Sequence, residues 1–203
     1  MTDAGKMATT DAAGLAAAIA RQFDGGDAGA RGPAPVERWN PPFCGDIDME
    51  IRRDGSWFYG GTPIGRPALV RLFSTVLRRD EDGRTYLVTP VEKVGIRVED
   101  APFLAVGMEK SGPEEAPVIT VRTNLGDVAT IDSSHLLRFD TDDGLKPYVL
   151  IRGRLEALFS RALTYDLMAL GETAEIAGED MFVIRSSGET FPVMPMAKLE
   201  ALS

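Results

Sequence analysis

The chain has 203 residues, 44% of them apolar and 26% charged, the balance of an ordinary globular protein with enough Leu, Val, Ile and Phe for a core. Its 22 basic residues against 31 acidic ones leave a net charge of −9, a surface that repels nucleic-acid phosphates and anionic lipid at long range. One cysteine, Cys44, and one histidine, His135, exclude an internal disulfide and a zinc site built from soft ligands, and they fit a reducing, cytoplasmic setting.

In chain order, Met1–Thr10 is polar. Residues 11–24 read as a helix, with Leu15, Ile19 and Phe23 on one apolar line. The apolar run Leu15–Ala20 is too short to span a membrane, and without a basic start it does not read as a signal peptide. Asp24 to Pro35, rich in Gly and Pro, reads as a linker. The body starts near Trp39. Ile47, Met49 and Ile51 alternate with Asp48, Glu50 and Arg52, the pattern of a strand with one wet face. Asp54-Gly55 turns the chain into Ser56–Tyr59, and Gly60-Gly61-Thr62-Pro63 breaks that strand. Pro67 suits the first position of a helix whose stripe is Leu69, Leu72, Phe73, Val76 and Leu77. Strands follow at 86–89, 94–98 and 103–108, and Lys110–Pro117 marks a boundary.

The second half follows a similar plan. Strands are expected at 118–122, 127–131 and 148–151, then a helix with Leu155, Leu158, Phe159, Ala162 and Leu163 on one stripe. Two strands then flank Glu179-Asp180, and Ser187-Gly188 turns into a last extended piece. Leu69–Leu77 and Leu155–Leu163 share five of nine residues at a shift of 86; Arg66 matches Arg152 at the same shift, and Glu99-Asp100 resembles Glu179-Asp180. This points to duplication. The expected fold is α+β: an N-terminal helix and linker over residues 1–38, and two tandem related β-rich units, 39–110 and 111–203, each with one amphipathic helix.

Motifs of the large nucleotide-enzyme classes are missing: there is no GxGxxG, Walker loop, GxSxG or HExxH. Cys44 and His135 lack a nucleophile signature, so Cys44 reads as a small buried thiol, and Ser133 and Ser134 beside His135 as turn or capping residues. Asp46, Asp48 and Glu50 share a strand face, which reads as solvated rather than metal-binding. No catalytic residue, metal or cofactor is assigned. Arg66 and Arg152 are each expected to end a strand before a helix N-terminus, where free N–H groups and a guanidinium fork suit an anion; the competing role is a salt bridge, to Glu99 or Glu179. Lys93, Arg97, Arg138 and Lys146 could add positive charge, and Trp57, Tyr59 and Tyr148 a stacking ring. The expected ligand site, at the seam between the halves, is therefore Trp57, Arg66, Lys93, Arg97, Arg138, Lys146, Tyr148 and Arg152.

The runs Pro42–Met49, Asp54–Gly60, Pro63–Arg66, Leu72–Ser74, Thr89–Lys93, Val98–Phe103 and Gly144–Val149 together resemble a bacterial domain-of-unknown-function family, numbered 1285, over about Trp39 to Phe191. The resemblance implies a duplicated α+β core, a second half superficially similar to pleckstrin-homology-like folds, and a small nucleotide-type ligand in a signalling role. A protein-interaction module with no small-molecule ligand is the alternative, and a hydrolase using Cys44 with His135 is a third reading, ranked below it. The resemblance carries no catalytic residues.

Overall fold

In the computed structural model, residues 12–21 and 33–201 are described. Phe23 and the linker residues 24–32 lie outside them. The chain divides into two compact units, Met1–Asp100 and Ala101–Ser203. Each unit carries a six-stranded sheet, so the α+β class and the tandem plan hold.

The first unit runs α1 (Ala12–Arg21), β1 (Phe43–Ile51), β2 (Trp57–Tyr59), β3 (Thr62–Pro63), α2 (Pro67–Thr75), β4 (Leu77–Arg79), β5 (Thr85–Val88) and β6 (Lys93–Val98). Its strand order is β3-β2-β1-β6-β5-β4. Neighbours are antiparallel except β1 and β6, which run parallel. Side chains alternate across a strand, so Met49 and Ile51 face one side of β1, and Asp46, Asp48 and Glu50 the other. Met49 pairs with Tyr59 and Ile51 with Trp57, which extends the apolar face onto β2. Against that face lies α2, whose Phe73 stacks on Trp57 at 6.4 Å between ring centroids and 17° between planes. In turn α1 packs on α2 and buries Leu15, Ala16 and Ile19.

The α2 stripe is shorter than expected. The helix stops at Thr75, and Leu77 opens β4 by pairing with Leu87. The β-branched pair Thr75-Val76 disfavours another helical turn, and the sheet offers Leu77 a buried place.

The opposite face of this sheet is a lattice of ion pairs. Arg97 reaches Glu50 at 3.0 Å and Arg84 reaches Asp46 at 2.5 Å. The Arg97 hydrogen bond holds Glu50 below the usual carboxylate range despite its desolvation. The Arg84–Asp46 contact crosses Gly95, where a Cβ would lie 2.0 Å from Asp46 Oδ1. Any side chain at 95 would displace that pair. At the sheet's other end, buried Arg78 donates to the carbonyls of Val36 and Trp39, at 2.9 and 2.7 Å, and to Asp80 at 2.6 Å. Asp80 also accepts from Lys93 at 2.8 Å. This cluster anchors residues 36–39 to β4.

The second unit runs β7 (Phe103–Ser111), β8 (Val118–Thr123), β9 (Val128–Thr130), β10 (Leu137–Asp140), β11 (Lys146–Arg152), β12 (Leu155–Phe159), α3 (Arg161–Met168), β13 (Glu172–Ile176), β14 (Glu179–Ser186), β15 (Glu189–Pro195) and α4 (Met196–Glu200). Its large sheet has the order β10-β11-β12-β7-β8-β9, with β7 and β12 parallel and the other neighbours antiparallel. Counted within each unit, the order is the same: two three-stranded meanders joined by a parallel pair of first and sixth strands. The duplication is therefore real, but its register differs from the expected one. Strands starting at Phe43, Leu77, Thr85 and Lys93 match those starting at Phe103, Leu137, Lys146 and Leu155, a shift of 60 to 62 residues rather than 86.

That register overturns the helix expected from Leu155 to Leu163. Leu155, Ala157 and Phe159 are buried at strand spacing, and Ala157 pairs with both Val149 and Phe103. The helix starts only after Ser160, whose hydroxyl accepts the Leu163 N–H at 3.4 Å as an N-cap. The Glu-Asp match also dissolves: Glu99-Asp100 follows β6, whereas Glu179-Asp180 opens β14. The expected boundary near residues 110–111 falls at the end of β7, which pairs with β8 and β12 of its own unit. The turn at 112–117 is thus a hairpin connection and not a domain boundary.

A three-stranded antiparallel sheet, β13-β14-β15, completes the second unit. Its two-residue turns, Ala177-Gly178 and Ser187-Gly188, have positive φ at both residues, as hairpin turns of the I′ type require. Ser186 ties β14 to the larger sheet. Its fully buried hydroxyl accepts the Ile119 N–H at 2.9 Å and donates to the Ile131 carbonyl at 2.7 Å. Ser186→Ala would leave both backbone groups unpaired, and we expect a loss of about 1–3 kcal/mol. Urea unfolding should show a lower midpoint at unchanged slope. A midpoint equal to that of the wild type would mean that other groups satisfy these atoms.

Candidate functional site

Within the two six-stranded sheets, the connection from the third strand to the fourth is where the units differ most. In the first unit it spans residues 64–76 and includes α2; in the second, residues 131–136 suffice. Asp132 closes that shorter turn, accepting the N–H groups of Ser134 and His135 at 2.7 and 2.8 Å. These amides, His135 first, hold its carboxyl below the usual range. The turn role expected for Ser133 and Ser134 is the one observed.

In the first unit the chain leaves β2 through Gly60-Gly61, with φ of 55° and 71°, pairs briefly as β3, and returns the Ile64 N–H to the Trp57 carbonyl at 2.8 Å. Arg66 then takes the N-cap position of α2 in an extended conformation (ψ 105°), as a residue before proline prefers. Pro67 has no N–H to lose and the Leu69 N–H already donates to the Arg66 carbonyl at 3.0 Å, so Ala68 supplies the open amide of this helix end. Tyr59, Gly60, Thr62, Gly65, Arg66 and Leu69 line a recess of about 340 Å³ here. Arg66 is exposed, and among the described residues no carboxylate meets its guanidinium.

The other predicted cations are neutralised within their own units. Lys93 is bound to Asp80 and lies 4.5 Å from the Tyr86 ring centroid. Arg97 holds Glu50. Arg138 forms two 2.6 Å hydrogen bonds to Glu156 and stacks 3.9 Å over Tyr148, its cross-strand neighbour. Lys146 lies 3.4 Å from Asp143. Arg152 pairs with Asp127, not with Glu179, and covers the Phe103 ring at 4.8 Å. Arg152 ends β11, but β12 follows it and not a helix, so the anion site expected there does not form. Trp57 is 2% exposed and belongs to the core. Tyr148 is buried with Ala101 and Leu158, which leaves no open face for stacking. The structure thus brings Arg138 and Tyr148 together, Lys93 and Arg97 onto one strand face, and leaves Arg66 apart in its recess.

Tyr59, weighed in the sequence only as a stacking ring, lines that recess with Gly60 and Thr62, and the adjoining Gly-Gly turn was its only local signal. Arg78 was missed because Leu77 and its neighbours read as the tail of a helix. Cys44 is exposed rather than buried, with its thiol 3.6 Å from the Pro42 carbonyl. Asp46 and Glu50 face arginines, and among the described residues no group of three or more His, Cys, Asp or Glu is arranged for a metal ion.

Two family models meet the chain at the junction of its units. "Domain of unknown function (DUF1285), N-terminal domain" matches residues 34–101, and "Protein of unknown function (DUF1285), C-terminal domain" matches residues 102–193. A crystal structure of a DUF1285 family protein from Silicibacter pomeroyi is 48% identical, with a TM-score of 0.83 over 95% of this chain and 100% of that one. The chain belongs to the DUF1285 family. A second DUF1285 structure, from Shewanella baltica, is 31% identical over 58% of this chain and 87% of that one, with a TM-score of 0.46. No curated protein matches.

The Arg66 recess falls inside the DUF1285 N-terminal domain, and the pairs Arg138–Glu156 and Arg152–Asp127 fall inside the C-terminal one. Among the described residues of this DUF1285 protein, no helix is long and apolar enough to cross a membrane.

Proposed function

We propose that this chain is a signalling or sensor protein whose first unit binds a small phosphate-type anion, nucleotides included, in the Arg66 recess. One observation carries the reading. Of the six cations singled out in the sequence, Arg66 alone, among the described residues, has no carboxylate partner, and it sits at a helix N-terminus beside an open recess. A guanidinium fork and the Ala68 amide at the start of α2 offer an anion charge and directed hydrogen bonds together. The protein's net −9 charge makes such a site local, so diffuse polyanions are repelled while a small anion is held. The volume suits a compact ligand of nucleotide-monophosphate size. Duplication adds support: the helix and recess stand where the sister unit has only a short turn.

Thermal-shift measurements with AMP, GMP, ADP and inorganic phosphate test this. A ligand at about 100 times its Kd stabilises the native state by about 2.7 kcal/mol. For a chain of this size that corresponds to a rise in Tm of roughly 5–10 °C. Arg66→Ala should lose this response while leaving the ligand-free Tm nearly unchanged, since the side chain is exposed and unpaired. A flat response across the whole panel in wild-type protein would remove the small-anion reading and favour a protein partner.

A further inference from the structure

We propose that α1 is a working part of this ligand site, so that docking of the N-terminal helix and occupancy of the recess are thermodynamically linked. The inference rests on the Arg66 recess being the ligand site. Ala12 and Ala13 of α1 line the same recess as Arg66 and Tyr59. The rest of the helix holds on by one face, where Leu15 and Ile19 are fully buried and Ala16 nearly so.

A helix of 10 residues is too short to persist alone in water, so its helical form depends on that docked face. It is joined to the body through a stretch whose sequence holds Gly25, Gly26, Gly29 and Gly32, the composition of a linker. A ligand lying in the recess touches α1 only while α1 is docked. It therefore binds the docked state better, and linkage requires docking to strengthen ligand binding by the same factor. The small side chains at 12 and 13 keep the recess open while forming its wall. Ligand binding would then be read out as the accessibility of the N-terminal segment, which is the output a sensor needs.

Calorimetric titration of the full chain with AMP and inorganic phosphate, together with amide exchange of α1, tests the linkage. We expect Ile19→Asp, which places a charge on the docked face, to weaken AMP binding about tenfold. Because that variant also disturbs packing, a second set leaves Leu15, Ala16 and Ile19 intact. Ala13→Glu at the recess should weaken binding about tenfold and Ala13→Lys should tighten it several-fold. Ala17→Glu, exposed and outside the recess lining, should change nothing. Saturating AMP should slow exchange of the α1 amides in the wild type. If AMP binds and Arg66→Ala abolishes it, but Ile19→Asp and both Ala13 variants bind like wild type and α1 exchange is unaltered, the linkage is wrong and the recess reading survives. If neither AMP nor phosphate binds the wild type, both fall.

Discussion

Arg78→Ala should lower the stability of the protein by about 3–5 kcal/mol, the range for removing one partner of a buried ion pair. Arg78 is 8% exposed and makes hydrogen bonds to two main-chain carbonyls and to both oxygens of Asp80. Its loss would take one donor from each of the Val36 and Trp39 carbonyls and leave Asp80 with Lys93. For a chain of this length the expected fall in Tm is roughly 10 °C or more, read by scanning calorimetry.

The pH dependence gives a second reading of the same cluster. Burial alone would raise the Asp80 pKa, but hydrogen bonds from Arg78 and Lys93 and their charges outweigh it, so the net shift is downward. A carboxyl with a lowered folded pKa contributes stability above its unfolded pKa of about 3.9, and that contribution disappears as pH falls through the folded value. The stability gap between wild type and Arg78→Ala should therefore be full near pH 6 and narrow on acidification below about pH 4. A gap that stays constant down to pH 3 would show that the ion pair is not its source.

Arg152→Ala should cost about 3 kcal/mol as well, and without any ligand present. The guanidinium is largely buried, pairs with Asp127 and covers the Phe103 ring. Burial, the largest influence, pulls its pKa below that of a free arginine, and the Asp127 charge opposes this. Taking the arginine away strands a carboxylate that is itself 21% exposed. Removing both partners should therefore restore part of the stability, so that Arg152→Ala with Asp127→Ala is more stable to urea than Arg152→Ala alone. A double variant no better than the single one would mean that the loss comes from packing on Phe103 and not from the charge. The contrast with Arg66→Ala separates a structural arginine from one available to a ligand, although the sequence presents the two as equivalents.

Much of the architecture is legible in residue order. The alternation through Ile47, Met49 and Ile51 specifies β1 and its wet face, Asp54-Gly55 specifies the turn, and Pro67 specifies the start of α2. Duplication is visible too, but its register is not. Leu155, Leu158 and Phe159 satisfy a helical stripe, while Leu155, Ala157 and Phe159 satisfy a strand. Local spacing does not separate the two. The choice is made by neighbours far along the chain, because Ala157 finds strands on both sides, at Val149 and Phe103.

The site divides in the same way. Net charge, the shortage of soft metal ligands and the identity of every candidate cation belong to the sequence alone. Which cation stays available to a ligand does not. Glu50 lies 47 residues from Arg97, Asp80 13 from Lys93 and Asp127 25 from Arg152, and only the pairing and twist of the sheets bring them within reach. Attraction between charges depends on distance in space, so tertiary structure neutralised four of the six cations, Lys146 met Asp143 three residues away, and Arg66 was left at the mouth of its recess.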